Sequence, residues 1–162
     1  MFHRVFAYGS LAGDGAARPC VLRDHRRGWG VAMDNRRTIP GYKFYVDPAS
    51  GERPAVYVTF LCIWPEPGAS VDGVLLEVDD AGLAVLDRRE RNYDRRDVSP
   101  FIDGDGAGPV WAYLASAAGR ERFAAGRAAG AAVISAEYLA RVPEADPHDL
   151  PVRSLLRRDV GA

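Results

Sequence analysis

The chain has 162 residues, 48% of them hydrophobic and 27% charged, a composition that supports one globular domain with a substantial core. Its 21 basic and 22 acidic residues leave a formal net charge of −1, so charge alone points to neither nucleic acid nor an acidic membrane as a partner. Cys20 and Cys62 supply neither a disulfide framework nor a metal motif, and a reducing cytoplasm is the expected setting. No apolar run approaches the ~20 residues that span a bilayer, and the N-terminus lacks a signal-peptide pattern.

In chain order, Arg4–Tyr8 is a short β-rich run halted by Gly9, and Ser10 to Gly15 reads as a loop. Strands are expected around Val21–His25, Trp29–Met33 and Lys43–Val46, the last closed by the turn Asp47–Gly51. Ala55 to Trp64 is the longest apolar run, and its β-branched and aromatic content favours a buried strand. Pro65-Glu-Pro67-Gly68 should end it, with a new strand at Val71–Val78 and Gly73 as a bulge or point of close backbone approach.

A helix over Leu83–Glu90, a strand over Tyr93–Val98, the turn-rich Asp103–Gly108 and a strand over Val110–Leu114 follow. Glu121–Arg127 and Ala136–Val142 read as helices, the second capped by Ser135, and the chain from about 143 reads as an irregular tail. These elements do not alternate as βαβ units, so a doubly wound sheet is not expected; the strands with one central helix and late helices indicate an α+β or mixed barrel-like fold in a single domain over residues 1–162.

One carboxylate stands out. If Asp79 or Asp80 opens the central helix, Leu83, Leu86 and Glu90 follow at spacings of three and four, on nearly one inward face. Arg88, Arg89 and Arg91 take the other directions and stay in water. A lone carboxylate on a core-facing stripe is costly unless paired, hydrogen-bonded or protonated, and burial moves such a group toward proton transfer at neutral pH. Glu90 is therefore a general acid/base candidate. The bland alternative is a solvated residue at a charged helix end, paired with an arginine four positions away.

Two motifs then match one family. Tyr8-Gly9-Ser10-Leu11 after an N-terminal strand resembles the YGS-L signature of the γ-glutamylcyclotransferase-like superfamily. Gly73–Val78, followed by Leu86-Asp87-x-x-Glu90-x-x-Tyr93-x-Arg95, resembles its central strand, helix and catalytic glutamate, with Val110–Leu114 and Glu137-Tyr138-Leu139 as weaker agreements in the expected order. The resemblance spans roughly residues 4–142. It implies a small mixed barrel and a cofactor-independent enzyme that cyclises a γ-glutamyl amine or peptide to 5-oxoproline.

Such a reaction needs proximity and one proton shuttle. The α-amine attacks its own γ-carbonyl, and one group can take the ammonium proton and return it to the leaving nitrogen. The resemblance gives that role to Glu90. Backbone N–H groups of Gly9, Ser10 and Leu11 are expected to receive the α-carboxylate or the developing oxyanion. Tyr8, Tyr93 and Tyr113 complete the expected substrate-binding set. A non-catalytic small-ligand or interaction domain keeping the same cavity is the rival reading.

Other patterns carry less. The run up to Gly15 lacks the Gly-Lys-Ser/Thr ending of a phosphate loop. Asp103-Gly-Asp105-Gly lacks the glutamate of a calcium loop. His3, His25 and His148 share no ligand spacing, so no metal is expected. Arg23, Arg26, Arg27, Arg36 and Arg37 with Trp29 suit an anion-contacting patch or, more simply, a solvated face.

Overall fold

The computed structural model describes residues 1–9, 17–104, 106 and 108–161; the expectations placed on Ser10, Leu11 and Asp105 lie outside them. The elements are β1 (Phe2–Ala7), β2 (Arg18–Asp34), β3 (Lys43–Val46), β4 (Tyr57–Asp79), α1 (Asp80–Arg89), β5 (Tyr93–Asp97), β6 (Val110–Ala115), α2 (Ala117–Ala128), β7 (Ala132–Ser135), α3 (Ala136–Arg141), β8 (Val152–Arg153) and β9 (Leu156–Asp159). A short 3-10 turn at Ser99–Phe101 follows β5. Among the described residues parallel and antiparallel pairs occur together with three α-helices, so the expected mixed α+β class holds. The chain gathers into two compact units, each made of two stretches: Met1–Gly28 with Leu61–Ala115, and Trp29–Phe60 with Ser116–Ala162.

In the first unit β6 lies between β5, antiparallel to it, and β1, parallel to it. On its other side β1 pairs antiparallel with the last part of β4, Ala7 facing Val74 and Phe2 facing Asp79. Side chains alternate across these strands and feed two cores. Phe6, Val110 and Ala112 join Leu22, Ile63, Val71, Leu75 and Val98 on one face. Val5 and Tyr113 turn the other way, against Leu83 and Leu86 of α1. The helix is held because its two leucines cover the Val5 side of the sheet.

In the second unit Tyr57 and Val58 of β4 pair in parallel with β7, and β7 pairs in parallel with β8. β3 and β9 form a separate antiparallel ladder. Ala132, Ile134 and Leu150 make a core with Trp29, Phe123 and Leu139. Asn35, fully buried, is satisfied from all sides: its amide donates to the carbonyls of Tyr45 and Pro54 and its oxygen accepts from Tyr45 N–H at 2.8 Å.

Several expectations need correction. The two strands read at 21–25 and 29–33 are one continuous strand, β2, and the runs at 55–64 and 71–78 are one strand, β4. Pro65-Glu-Pro67-Gly68 does not end β4. Gly68 adopts φ +84, and its N–H is taken by the carboxylate of Asp24, itself at φ 57 in β2. The turn signal is absorbed as a kink shared by two paired strands. β7 was not expected, its four residues all being buried, and the tail beyond residue 143 contributes β8 and β9.

Gly73 is the point of close approach that its sequence setting suggests. A Cβ there would meet the Ala7 carbonyl oxygen and stand 2.6 Å from Phe6 Cζ. Because one obstacle is backbone, Gly73→Ala is expected to cost about 1–3 kcal/mol, read as a lowered midpoint in chemical denaturation; an unchanged midpoint would show that β1 and β4 separate freely there.

Candidate functional site

Helix α1 carries the candidate acid/base to its place. Asp79 caps its N-terminus, accepting from Gly82 N–H at 2.7 Å. Leu83 and Leu86 are buried, and Arg88 and Arg89 occupy the last turn, where positive charge suits the helix dipole. The helix ends at Arg89, one residue earlier than expected. Glu90 is its C-cap, at φ −88 and ψ 58, with its N–H donated to Leu86 O at 2.9 Å.

Glu90 therefore leaves the helical path, and the three-four spacing does not by itself aim its side chain. That side chain is nevertheless only 14% exposed. Its carboxylate lies 3.5 Å from Nε of the adjacent Arg89.

The other partners come from β5 and β6. In their antiparallel register Arg95 faces Tyr113 directly, so both side chains share a face. Both reach one oxygen of Asp87, one turn before Glu90 on α1. Tyr113 donates its hydroxyl to Asp87 Oδ1 at 2.8 Å, and Arg95 Nε stands 3.4 Å from the same atom. The Arg95 guanidinium also lies over the Trp111 ring, 4.7 Å from its centre.

The three expected tyrosines are brought into this unit, each with its hydroxyl proton given to a protein acceptor. Tyr8 donates to the Tyr113 carbonyl at 2.6 Å, Tyr93 to the Leu61 carbonyl at 2.6 Å, and Tyr113 to Asp87. Towards a further group their hydroxyls offer lone pairs. Tyr113 titrates well above its ordinary 10.0, first through burial, then through its bond to Asp87 and that carboxylate's charge. Arg95 opposes the rise and Glu90 adds to it, so both charged groups act on this hydroxyl.

Gly9 follows Tyr8 in a bend, and the Tyr8 carbonyl beside it accepts from Arg27 Nη1 at 2.9 Å. In the sequence Arg27 stands only as one of a basic group. That group is largely committed within the fold: Arg23 pairs with Asp103 at 3.0 Å, Arg26 with Glu66, and Arg36 forks onto Asp34 at 2.9 and 2.8 Å. The Arg36 guanidinium holds the Asp34 carboxyl below the usual carboxylate range. His25 is buried with Nδ1 at 2.8 Å from the Arg23 carbonyl and its ring edge-on to Phe101.

Asp87 is not among the site residues expected from the sequence. Two signals were present: its place three residues before Glu90, and the arginine two residues after Tyr93. What joins them is the register of β5 on β6, which no local pattern specifies.

The sequence profile of a family described as gamma-glutamyl cyclotransferase, AIG2-like, matches residues 5–129. Among curated proteins none matches. Among solved structures, one named gamma-glutamyl cyclotransferase is 18% identical, with 72% of this chain and 68% of that chain covered and a TM-score of 0.47. A solution structure of an Arabidopsis thaliana protein is 20% identical, covering 72% and 70%, at a TM-score of 0.46. The crystal structure of an uncharacterized Homo sapiens protein is 18% identical, covering 71% and 67%, at 0.44.

Tyr8→Phe removes the donor to the Tyr113 carbonyl and is expected to cost about 1–2 kcal/mol in denaturant unfolding. Because the Tyr113 hydroxyl titrates higher in the folded chain than in the unfolded one, its contribution to stability is full below pH 10 and is lost as pH rises beyond it. Tyr113→Phe should flatten that alkaline loss of stability; an unchanged slope would show that the hydroxyl does not carry it.

Proposed function

This chain belongs to the gamma-glutamyl cyclotransferase, AIG2-like family, and from that premise we propose that it cyclises a γ-glutamyl amine or peptide to 5-oxoproline, with Glu90 as the general acid/base. The observation that carries the reading is a carboxylate only 14% exposed at the C-cap of α1, in the Leu86-Asp87-x-x-Glu90 stretch that resembles the family's.

In this mechanism the substrate's α-ammonium gives one proton to Glu90. The freed amine nitrogen attacks the γ-carbonyl carbon, forming the ring C–N bond. Glu90 returns its proton to the leaving nitrogen as the tetrahedral intermediate breaks that C–N bond, then takes the second proton from the ring nitrogen and passes it to the released amine, which departs as an ammonium. One ring is closed, one amine is released, and no water is consumed. Glu90 ends as it began.

The reacting amine and carbonyl belong to one molecule, so holding its chain in a near-attack conformer contributes much of the rate. In the proposed site Gly9, Ser10 and Leu11 offer backbone N–H groups to the α-carboxylate or to the developing oxyanion. The bond from Arg27 to the Tyr8 carbonyl holds the backbone just before Gly9. Tyr8, Tyr93 and Tyr113, their protons already donated, present ring faces and lone pairs to the γ-glutamyl group.

Glu90→Gln keeps size and hydrogen-bonding capacity but cannot carry the proton. It is expected to lower release of 5-oxoproline from a panel of γ-glutamyl amines and dipeptides by about 10²–10⁴-fold, with circular dichroism unchanged. Full turnover by Glu90→Gln would overturn the assignment, and 5-oxoproline binding without turnover by the wild-type chain would favour a non-catalytic ligand-binding domain.

A further inference from the structure

We propose that Asp87 is a positioning residue for Glu90: it takes the one proton of the Tyr113 hydroxyl and offsets the charge of Arg95, so that neither dominates the acid/base group one turn away. The inference rests on the reading of Glu90 as the proton shuttle and goes beyond it by assigning the residue that sets its surroundings.

Three observations converge on one atom. Asp87 Oδ1 accepts from Tyr113 at 2.8 Å and stands 3.4 Å from Arg95 Nε. Arg95 and Tyr113 are directly opposed in the β5–β6 register, so a rigid ladder presents both. Asp87 is on the last full turn of α1, and Glu90 caps that same turn.

The pair does little for stability, since Asp87 is 41% and Arg95 31% exposed and solvent screens such contacts. Its location is what distinguishes it. The charged and titratable groups on the elements packed here are Arg95 and Tyr93 on β5, Tyr113 on β6, and Arg89 and Glu90 at the end of α1, while Tyr8 packs on the opposite, Phe6 face. A hydroxyl has a single proton, and that of Tyr113 is spent on Asp87. Without the Asp87 charge, the Tyr113 proton and the Arg95 cation would be free to favour ionised Glu90, making it a weaker proton acceptor.

The decisive measurement is a carboxyl NMR titration of Glu90 in the full chain, which needs no turnover. Asp87→Asn is expected to lower the Glu90 midpoint by about half a unit or more, Arg95→Gln to raise it, and the double variant to return it close to wild type. A midpoint that stays put in either single variant overturns the proposal. With a γ-glutamyl substrate, Asp87→Asn should lower kcat about tenfold while KM stays within about twofold; a change confined to KM would also overturn it. If the wild type cyclises no γ-glutamyl compound, the proposed function fails, and the Glu90 titration still decides what Asp87 does.

Discussion

The alternation of side chains along β1 governs the first unit. Val5 and Phe6 are adjacent and both almost fully buried, yet they enter separate clusters because a pleated strand sends successive side chains to opposite faces. The same alternation on β6 directs Val110 and Ala112 one way, Trp111 and Tyr113 the other. The Val5 face is finished by α1, whose Leu83 and Leu86 supply the cover. Once the helix is seated there, its C-terminal end, and Glu90 with it, has little freedom of position.

Polar groups refine what apolar packing begins. Hydrophobic burial is non-directional and would tolerate some sliding of α1 across the sheet. The bond from Tyr113 to Asp87 and the pairing with Arg95 join the last turn of the helix to two facing positions of one ladder. Tyr8 and Tyr93 add bonds to the Tyr113 and Leu61 carbonyls. A partly buried carboxylate such as Glu90 is costly to hold, and this scaffold keeps it in one place.

The long strands β2 and β4 show where local reading reaches its limit. A Pro-x-Pro-Gly stretch ends most strands, because proline lacks a donor and glycine favours positive φ. In β4 the pairing with β2 outweighs that tendency, and the Asp24 carboxylate satisfies the N–H of Gly68 at the kink. The short β7 escaped notice for the opposite reason: four residues, all buried, are too few to show a period before the helix capped by Ser135 begins. At Gly73, by contrast, a lone glycine in an apolar run did mark close backbone approach, to Ala7 and Phe6.

Local chemistry determined much of this protein directly from its sequence. Asp79 and Ser135 cap their helices, Lys43–Val46 forms its strand, and the Tyr8-Gly9 and Leu86-Asp87-x-x-Glu90 motifs placed the chain in its family, because caps, short strands and motifs depend on neighbours a few residues away. The surroundings of Glu90 were decided elsewhere. The helix stops at Arg89, so the side chain of its C-cap is aimed by backbone torsions and packing, not by a 3.6-residue period. Asp87 meets Arg95 and Tyr113 only because β5 and β6 pair in one register. That register is a long-range choice that no stretch of a few residues makes, and it decides which groups stand beside Asp87 at the end of α1.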